Sequence, residues 1–382
     1  RKELTTTYTK IQHSEPELSP QTDLTNVFLE MLARPNNASF EFISRQYDHE
    51  VQAGSVLKPL QGTGKVNAVA SVTKPLLDSS KGVVCSQGIN PNYSEIDTYH
   101  MAACAIDTAI RNAITVGGNI DYLALMDNFC WCSSDDPERL GQLKATAQAC
   151  YDYAVEYGTP YISGKDSMFN DFKGFDKDGN AIKISAPPTL LISSLSVMDN
   201  VEKAVSLDPK FTGDLVYIIG ETKNELGGSE YFTHLGHIGN SIPKVDAKNA
   251  KELYKKYQEA LEQNLIASSL SPGIGGLGMT LAKKAIAGQL GMSIDLSKVP
   301  KSPNISLDDE ILFSESQSRF VVTIAPENKE KFEQQFNAFT LAQIGEITGD
   351  NNFIIKGLNG EKIINTTIEK LDETYRNTFK EF

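Results

Sequence analysis

The stretch from Gly82 to Trp131, GVVCSQGINPNYSEIDTYHMAACAIDTAIRNAITVGGNIDYLALMDNFCW, limits what this chain can fold into more than any other. It reads as strand, polar loop, long helix of small residues, and a short strand that ends on a carboxylate. Val83 to Cys85 is apolar, and Gln87-Gly88-Ile89-Asn90-Pro91 interrupts it with a glycine and a proline. Asp97 is the expected N-cap of a helix over 98–116, which Gly117-Gly118 stops. Tyr122 to Met126 then opens onto Asp127-Asn128. A carboxylate at a strand end beside a glycine-bearing loop is where α/β folds place metal and phosphate chemistry.

The 382 residues suffice for two domains or three. A net charge of −13 argues against general nucleic-acid binding, which depends on basic residues. It leaves room for a local nucleotide site held by Mg²⁺ or by backbone N–H groups. Cysteines 85, 104, 130, 132 and 150 are odd in number and confined to one region, as expected for reduced thiols in a cytoplasmic protein. Cys130-Trp131-Cys132 lacks zinc-site spacing. No apolar run approaches the about 20 residues of a membrane span, and no secretory leader is legible. The sequence starts at Arg1 rather than Met, so a piece of a longer protein is expected.

Three segments follow: an arm and helix over 1–38, an α/β domain over 39–205, and a second α/β domain over 206–382. Asp23 to Ala33 is an amphipathic helix with Leu24, Val27, Phe28, Met31 and Leu32 on one face. Gln61-Gly62-Thr63-Gly64-Lys65 reads as a turn as readily as a phosphate loop. Helices are expected over 141–157, 247–263, 279–287, 328–339 and 368–380. A strand over 159–162 is broken by Ser163-Gly164-Lys165-Asp166-Ser167, and Asp178-Gly179 turns a hairpin. His234 and His237 stand three apart on an expected helix face, a weak metal pattern without a carboxylate pair nearby.

Six motifs in order carry a resemblance. They are Arg45-Gln46-Tyr47-Asp48-His49-Glu50-Val51-Gln52, Gly88-Ile89-Asn90-Pro91-Asn92-Tyr93 and Met126-Asp127-Asn128-Phe129-Cys130-Trp131 in the first part. Ser163-Gly164-Lys165-Asp166-Ser167, Glu225-Leu226-Gly227-Gly228-Ser229 and Phe313-Ser314-Glu315-Ser316-Gln317-Ser318-Arg319 complete the set. From about Asp23 onward the chain resembles the C-terminal half of phosphoribosylformylglycinamidine synthase, within the group built like aminoimidazole ribonucleotide synthetase.

The resemblance implies two α/β domains, the first contributing strands to a central barrel between two halves. It implies an ATP-dependent ligase of purine biosynthesis that converts formylglycinamide ribonucleotide and ammonia to the amidine. ATP and Mg²⁺ are the implied cofactors, and the N-terminal half and a glutaminase that supplies ammonia are the implied partners. The family's catalytic histidine belongs to the other half, so no catalytic residue is expected here and the isolated chain should be inactive.

Residue by residue, the resemblance places Asp127 and Gly164 near ATP and Ser167 against substrate. Lys165 stands where some relatives have an asparagine near Mg²⁺; an ammonium cannot ligate a metal, so a phosphate contact is the alternative. Asp166 is then the candidate metal ligand. The bland alternatives are Asp127 as a turn cap and Ser163 to Ser167 as a solvated turn. The family's acidic helix-start motif in the second domain is replaced by Leu270-Ser271-Pro272-Gly273-Ile274-Gly275-Gly276-Leu277, which keeps two glycines and loses the carboxylates. Another ATP-using relative of the same architecture and a non-catalytic dimerisation half remain as rival readings. Apolar strands at 69–72, 83–85 and 123–126 would leave an exposed barrel edge, so a homodimer is expected.

Overall fold

The computed structural model describes residues 5–382. Its first sheet orders six strands as Ser55–Leu57, Ala70–Thr73, Gly82–Ile89, Thr189–Met198, Leu123–Cys130 and Tyr161–Ser167. Neighbours are antiparallel except the last pair, which is parallel. Period-two alternation selects the faces: Val84, Ser86 and Gly88 point inward, while Cys85, Gln87 and Ile89 are exposed. The sheet is open, and no barrel closes among the described residues.

The inward face rests on the helix Thr98–Thr115, whose Asp97 cap accepts from the His100 N–H at 3.1 Å as expected. Fifteen of its 18 residues are buried, so this helix lies between the sheet and the second domain rather than on a surface. Its alanines permit the close approach. The helix Pro137–Tyr157 packs beside it, starting four residues earlier than expected because Asp136 caps and Pro137 fits the first turn.

Three expected loops are strands. Gly82–Ile89 runs through Gln87-Gly88 because the strand Thr189–Met198 pairs along that edge, Gln87 with Ser193, Gly88 with Ile192 and Ile89 with Leu191. Leu123–Cys130 carries Asp127 in mid-strand, not at its end. Tyr161–Ser167 continues through Ser163-Gly164-Lys165-Asp166 by pairing along Leu123–Cys130. Cross-strand hydrogen bonds thus override the local turn preference of glycine and serine. The hairpin Asp171–Phe175 with Ala181–Ser185 turns at Asp178-Gly179 as expected.

The second sheet has seven strands in the order Ser268–Leu270, Phe320–Ile324, Leu215–Ile219, Leu341–Thr348, Gly291–Asp295, Asn352–Lys356 and Lys362–Thr367. One core joins the helices Gly276–Gly288, Asp308–Phe313 and Ile368–Asn377 to this sheet. The helix Thr25–Ala33 belongs to the same core: Phe28, Met31 and Leu32 are fully buried there, and the Leu24 N–H donates to the Ile363 carbonyl at 2.7 Å. Burying each such side chain contributes about 2 kcal/mol.

Asp107, on the helix Thr98–Thr115, ties the two domains. Its carboxylate pairs with Arg111 and accepts from the Tyr157 hydroxyl at 2.7 Å, the Tyr254 hydroxyl, and the Ser318 N–H at 3.2 Å. Arg111 also donates to Gln317 Oε1 and the Pro272 carbonyl, both at 3.0 Å.

Candidate functional site

Strand pairing sets Gly88, Ile192, Asp127 and Gly164 in one row across four adjacent strands of the first sheet. The three segments singled out in the sequence are therefore neighbours, on strands rather than loops. In-register residues share a face, so Asp127 lies on the inward side with Ile192. A Cβ on Gly164 would fall 2.6 Å from Asp127 Oδ1, so any larger residue there would require that carboxylate to move. Burial raises the Asp127 pKa, and the charge of Asp166 adds to the rise.

Strand alternation separates the other candidates. Asp166 pairs with Phe129 and shares the Asp127 face, whereas Lys165 pairs with Asn128 and Ser167 with Cys130, on the opposite face. Lys165 and Asp166 are exposed. A ligand touching both Asp127 and Lys165 has to run along the open edge of the sheet. Ser167 Oγ donates to Asn170 Oδ1 at 3.1 Å, and the Ser167 carbonyl accepts from Asn170 Nδ2 at 3.0 Å. Among the described residues, no group of three His, Cys, Asp or Glu side chains converges as a metal cage.

A cleft opens beyond Ile89, between the turn Pro91–Glu95 and the start of the helix Gly276–Gly288. Glu315 is fixed beneath it. Its carboxylate accepts from the Tyr93 hydroxyl at 2.5 Å, the Gly275 N–H at 2.8 Å and the Glu230 N–H at 3.0 Å. The sequence shows no carboxylate at the 270–277 helix start, but Glu315 supplies one from a distant segment. Its Tyr93 bond crosses between the domains, whereas Arg319 bonds within the second domain, to Thr222 and to the Ser314 and Ser316 carbonyls.

Burial pushes the Glu315 carboxyl up to about 7, against its hydrogen-bond donors. Between the ordinary value of 4.5 and about 7, the folded chain retains a proton that the unfolded chain has lost. This contribution to stability is full below 4.5 and is lost as pH rises toward 7. Urea midpoints measured across that window should fall with rising pH, and Glu315→Gln should flatten the trend; an unchanged slope in the variant counts against it.

The histidines take structural places. His49 Nε2 meets the Ser44 carbonyl. His234 ends the short helix Glu230–His234 and pairs with Glu30 at 3.2 Å, while His237 lies beyond that helix, so the expected shared helix face does not form. Leu235-Gly236 breaks the helix between them.

Residues 67–185 match the N-terminal domain of AIR synthase related proteins, and residues 212–357 match their C-terminal domain. The chain is thus built from the two domains of an AIR synthase related protein. It is 31% identical over 360 residues to the phosphoribosylformylglycinamidine synthase subunit PurL of Methanocaldococcus jannaschii, covering 94% of this chain and 46% of that relative. Thermotoga maritima PurL complexed with FGAR has a similar fold, with a TM-score of 0.64 at 20% identity over 91% of this chain and 55% of that one. The same protein complexed with ATP gives 0.59 at 19% identity, over 91% and 54%. The chain spans about half the length of the curated relatives it matches.

Proposed function

We propose that this chain is the C-terminal half of a phosphoribosylformylglycinamidine synthase and contributes part of its ATP and formylglycinamide ribonucleotide site. The observation carrying this reading is the row of Gly88, Asp127 and Gly164, which sets the family's motif positions side by side on one domain. The PurL relatives and the ATP and FGAR complexes of the Thermotoga protein support it. The companion half, a glutaminase supplying ammonia, a cytoplasmic setting and self-association as a homodimer belong to the same reading.

Two carboxylates on one face, Asp127 and Asp166, fit a Mg²⁺ shared with nucleotide phosphates better than a protein-only cage. When bound, that ion neutralises charge on the transferred phosphoryl group. Asp127 orients the nucleotide from the inward side, Gly164 leaves it access, and Lys165 contacts phosphate from the sheet edge. Ser167 lies on the Lys165 side, where its hydroxyl oxygen accepts from substrate while it donates to Asn170.

The isolated chain should bind ATP with Mg²⁺ yet form no amidine from formylglycinamide ribonucleotide, ATP and ammonium. Calorimetry and a turnover assay check both points, and Asp127→Asn should weaken nucleotide binding about ten-fold. Robust turnover by the chain alone defeats the half-enzyme reading, and a chain that takes up neither ATP nor ADP is a scaffold instead.

A further inference from the structure

Residues 7–15 of the arm cross from the first domain to the second. Thr7 and Thr9 dock on the start of the helix Pro137–Tyr157, donating their N–H groups to the Pro137 carbonyl at 3.1 Å and the Glu138 carboxylate at 2.7 Å. The Tyr8 hydroxyl and Lys10 Nζ both donate to Asp97, the cap of the buried helix, at 3.2 and 2.5 Å. Farther on, the His13 N–H donates to Asn240 Oδ1, and Asn240 Nδ2 donates to the His13 carbonyl and Glu15 Oε1, each at 2.8 Å. Among the described residues, the Asn240 side chain bonds only to the arm.

Each domain carries a glycine that clears the path of this arm. A Cβ on Gly141 would overlap the Thr7 carbonyl oxygen, and one on Gly239 would stand 2.9 Å from Glu15 Oε2. Yet the arm is lightly held. None of residues 7–15 is buried, and between its anchors the arm spans a cavity of about 330 Å³, walled by Ile96, His100 and Ile242. The Lys10 side chain is 62% exposed, so salt screens its pair with Asp97. The entropy lost in ordering such a segment is of the same order as what its polar contacts return. Segments of that kind open locally while the rest of a fold stays closed.

What the arm grips reaches the boundary between the domains. The Ser241 carbonyl accepts from the Gly227 N–H at 2.9 Å, and the Ile238 carbonyl accepts from the Gly228 N–H at 2.7 Å. Gly228 in turn abuts Tyr93 of the first domain, where a Cβ would stand 2.8 Å from the ring. Hydrogen bonds and packing thus run without a break from the arm through Asn240 and Gly227-Gly228 to Tyr93.

We propose that residues 7–15 form a clasp between the domains. Docked, it holds the loop 238–241 and Gly227-Gly228 against Tyr93 and keeps the domains together; lifted, it lets them part. The clasp involves no bound ligand, so it stands whether or not the chain is a ligase half.

The test follows Asn240→Ala and Gly141→Ala by trypsin cleavage after Lys10 and by amide hydrogen exchange. Cleavage requires the arm to lift. The Ser318 N–H, which donates to Asp107 of the first domain, shows whether the domains part. Each variant should speed cleavage about ten-fold, as loss of the arm's hydrogen bonds implies, and should raise exchange at Ser318. Val322, in the strand Phe320–Ile324 that is paired on both sides, should exchange as in the unaltered chain. Unchanged cleavage in either variant overturns the proposal. Faster cleavage with Ser318 unaltered also overturns it, because the arm is then only an adherent tail. A rise at Val322 equal to that at Ser318 marks general unfolding and overturns it too. Should Gly141→Ala fail to fold, Asn240→Ala decides alone.

Discussion

Asp107→Asn should destabilise the chain by about 3–5 kcal/mol, the largest loss expected from any single polar substitution here. Arg111 is fully buried, and burial alone would lower the pKa of its guanidinium; the charge of Asp107 more than offsets this and keeps it raised. With an amide at 107, that cation is left with neutral acceptors, among them Gln317, the Pro272 carbonyl and the Thr108 hydroxyl. Tyr157, Tyr254 and Ser318 would lose charged acceptance together. Because these groups come from both domains, the two should unfold in separate transitions once Asp107 is neutralised. Calorimetry reads this directly, and a loss below about 1 kcal/mol with one retained transition would contradict it. Removing both charges with Asp107→Asn and Arg111→Met should cost less than the sum of the single changes.

Gly88→Ala comes next, with an expected loss of about 3 kcal/mol. A Cβ at 88 would stand 2.1 Å from the Ala105 carbonyl oxygen and 2.7 Å from the Ala109 nitrogen. Both are backbone atoms of the buried helix, so no side-chain rotation relieves the clash. The helix has to lift from the sheet, and Gly88, Ile192 and Asp127 lose their common row. Gly273→Ala, where a Cβ would meet nothing within 4 Å, is the control and should be near neutral. Denaturant midpoints compare the two, and equal midpoints would refute the close-packing account.

Much of this architecture was legible because its signals are local. Asp97 announced the buried helix by its capping chemistry, and Asp178-Gly179 announced the hairpin. The apolar run from Thr189 to Val197 is a central strand of the first sheet, with alternate residues buried. What escaped was decided by partners far along the chain. Gln87-Gly88 and Ser163-Gly164-Lys165-Asp166 carry turn-forming residues, yet both are strands because neighbouring edges complete their hydrogen bonds. Gly88 signals close packing against a helix rather than a bend. The same non-local logic hid Glu315 at the helix start near Gly275.

The helix Thr25–Ala33 has a consequence for how the molecule is made. Its apolar face is completed by Ile368, Leu371 and Tyr375, and its entry is fixed by Ile363, all near the opposite terminus. A ribosome therefore delivers this segment long before its seat, which follows only after the whole first sheet has emerged. In the interval Phe28, Met31 and Leu32 are unburied and open to chaperone capture, so the second domain cannot be finished during synthesis, and a single cut between the domains cannot release it whole.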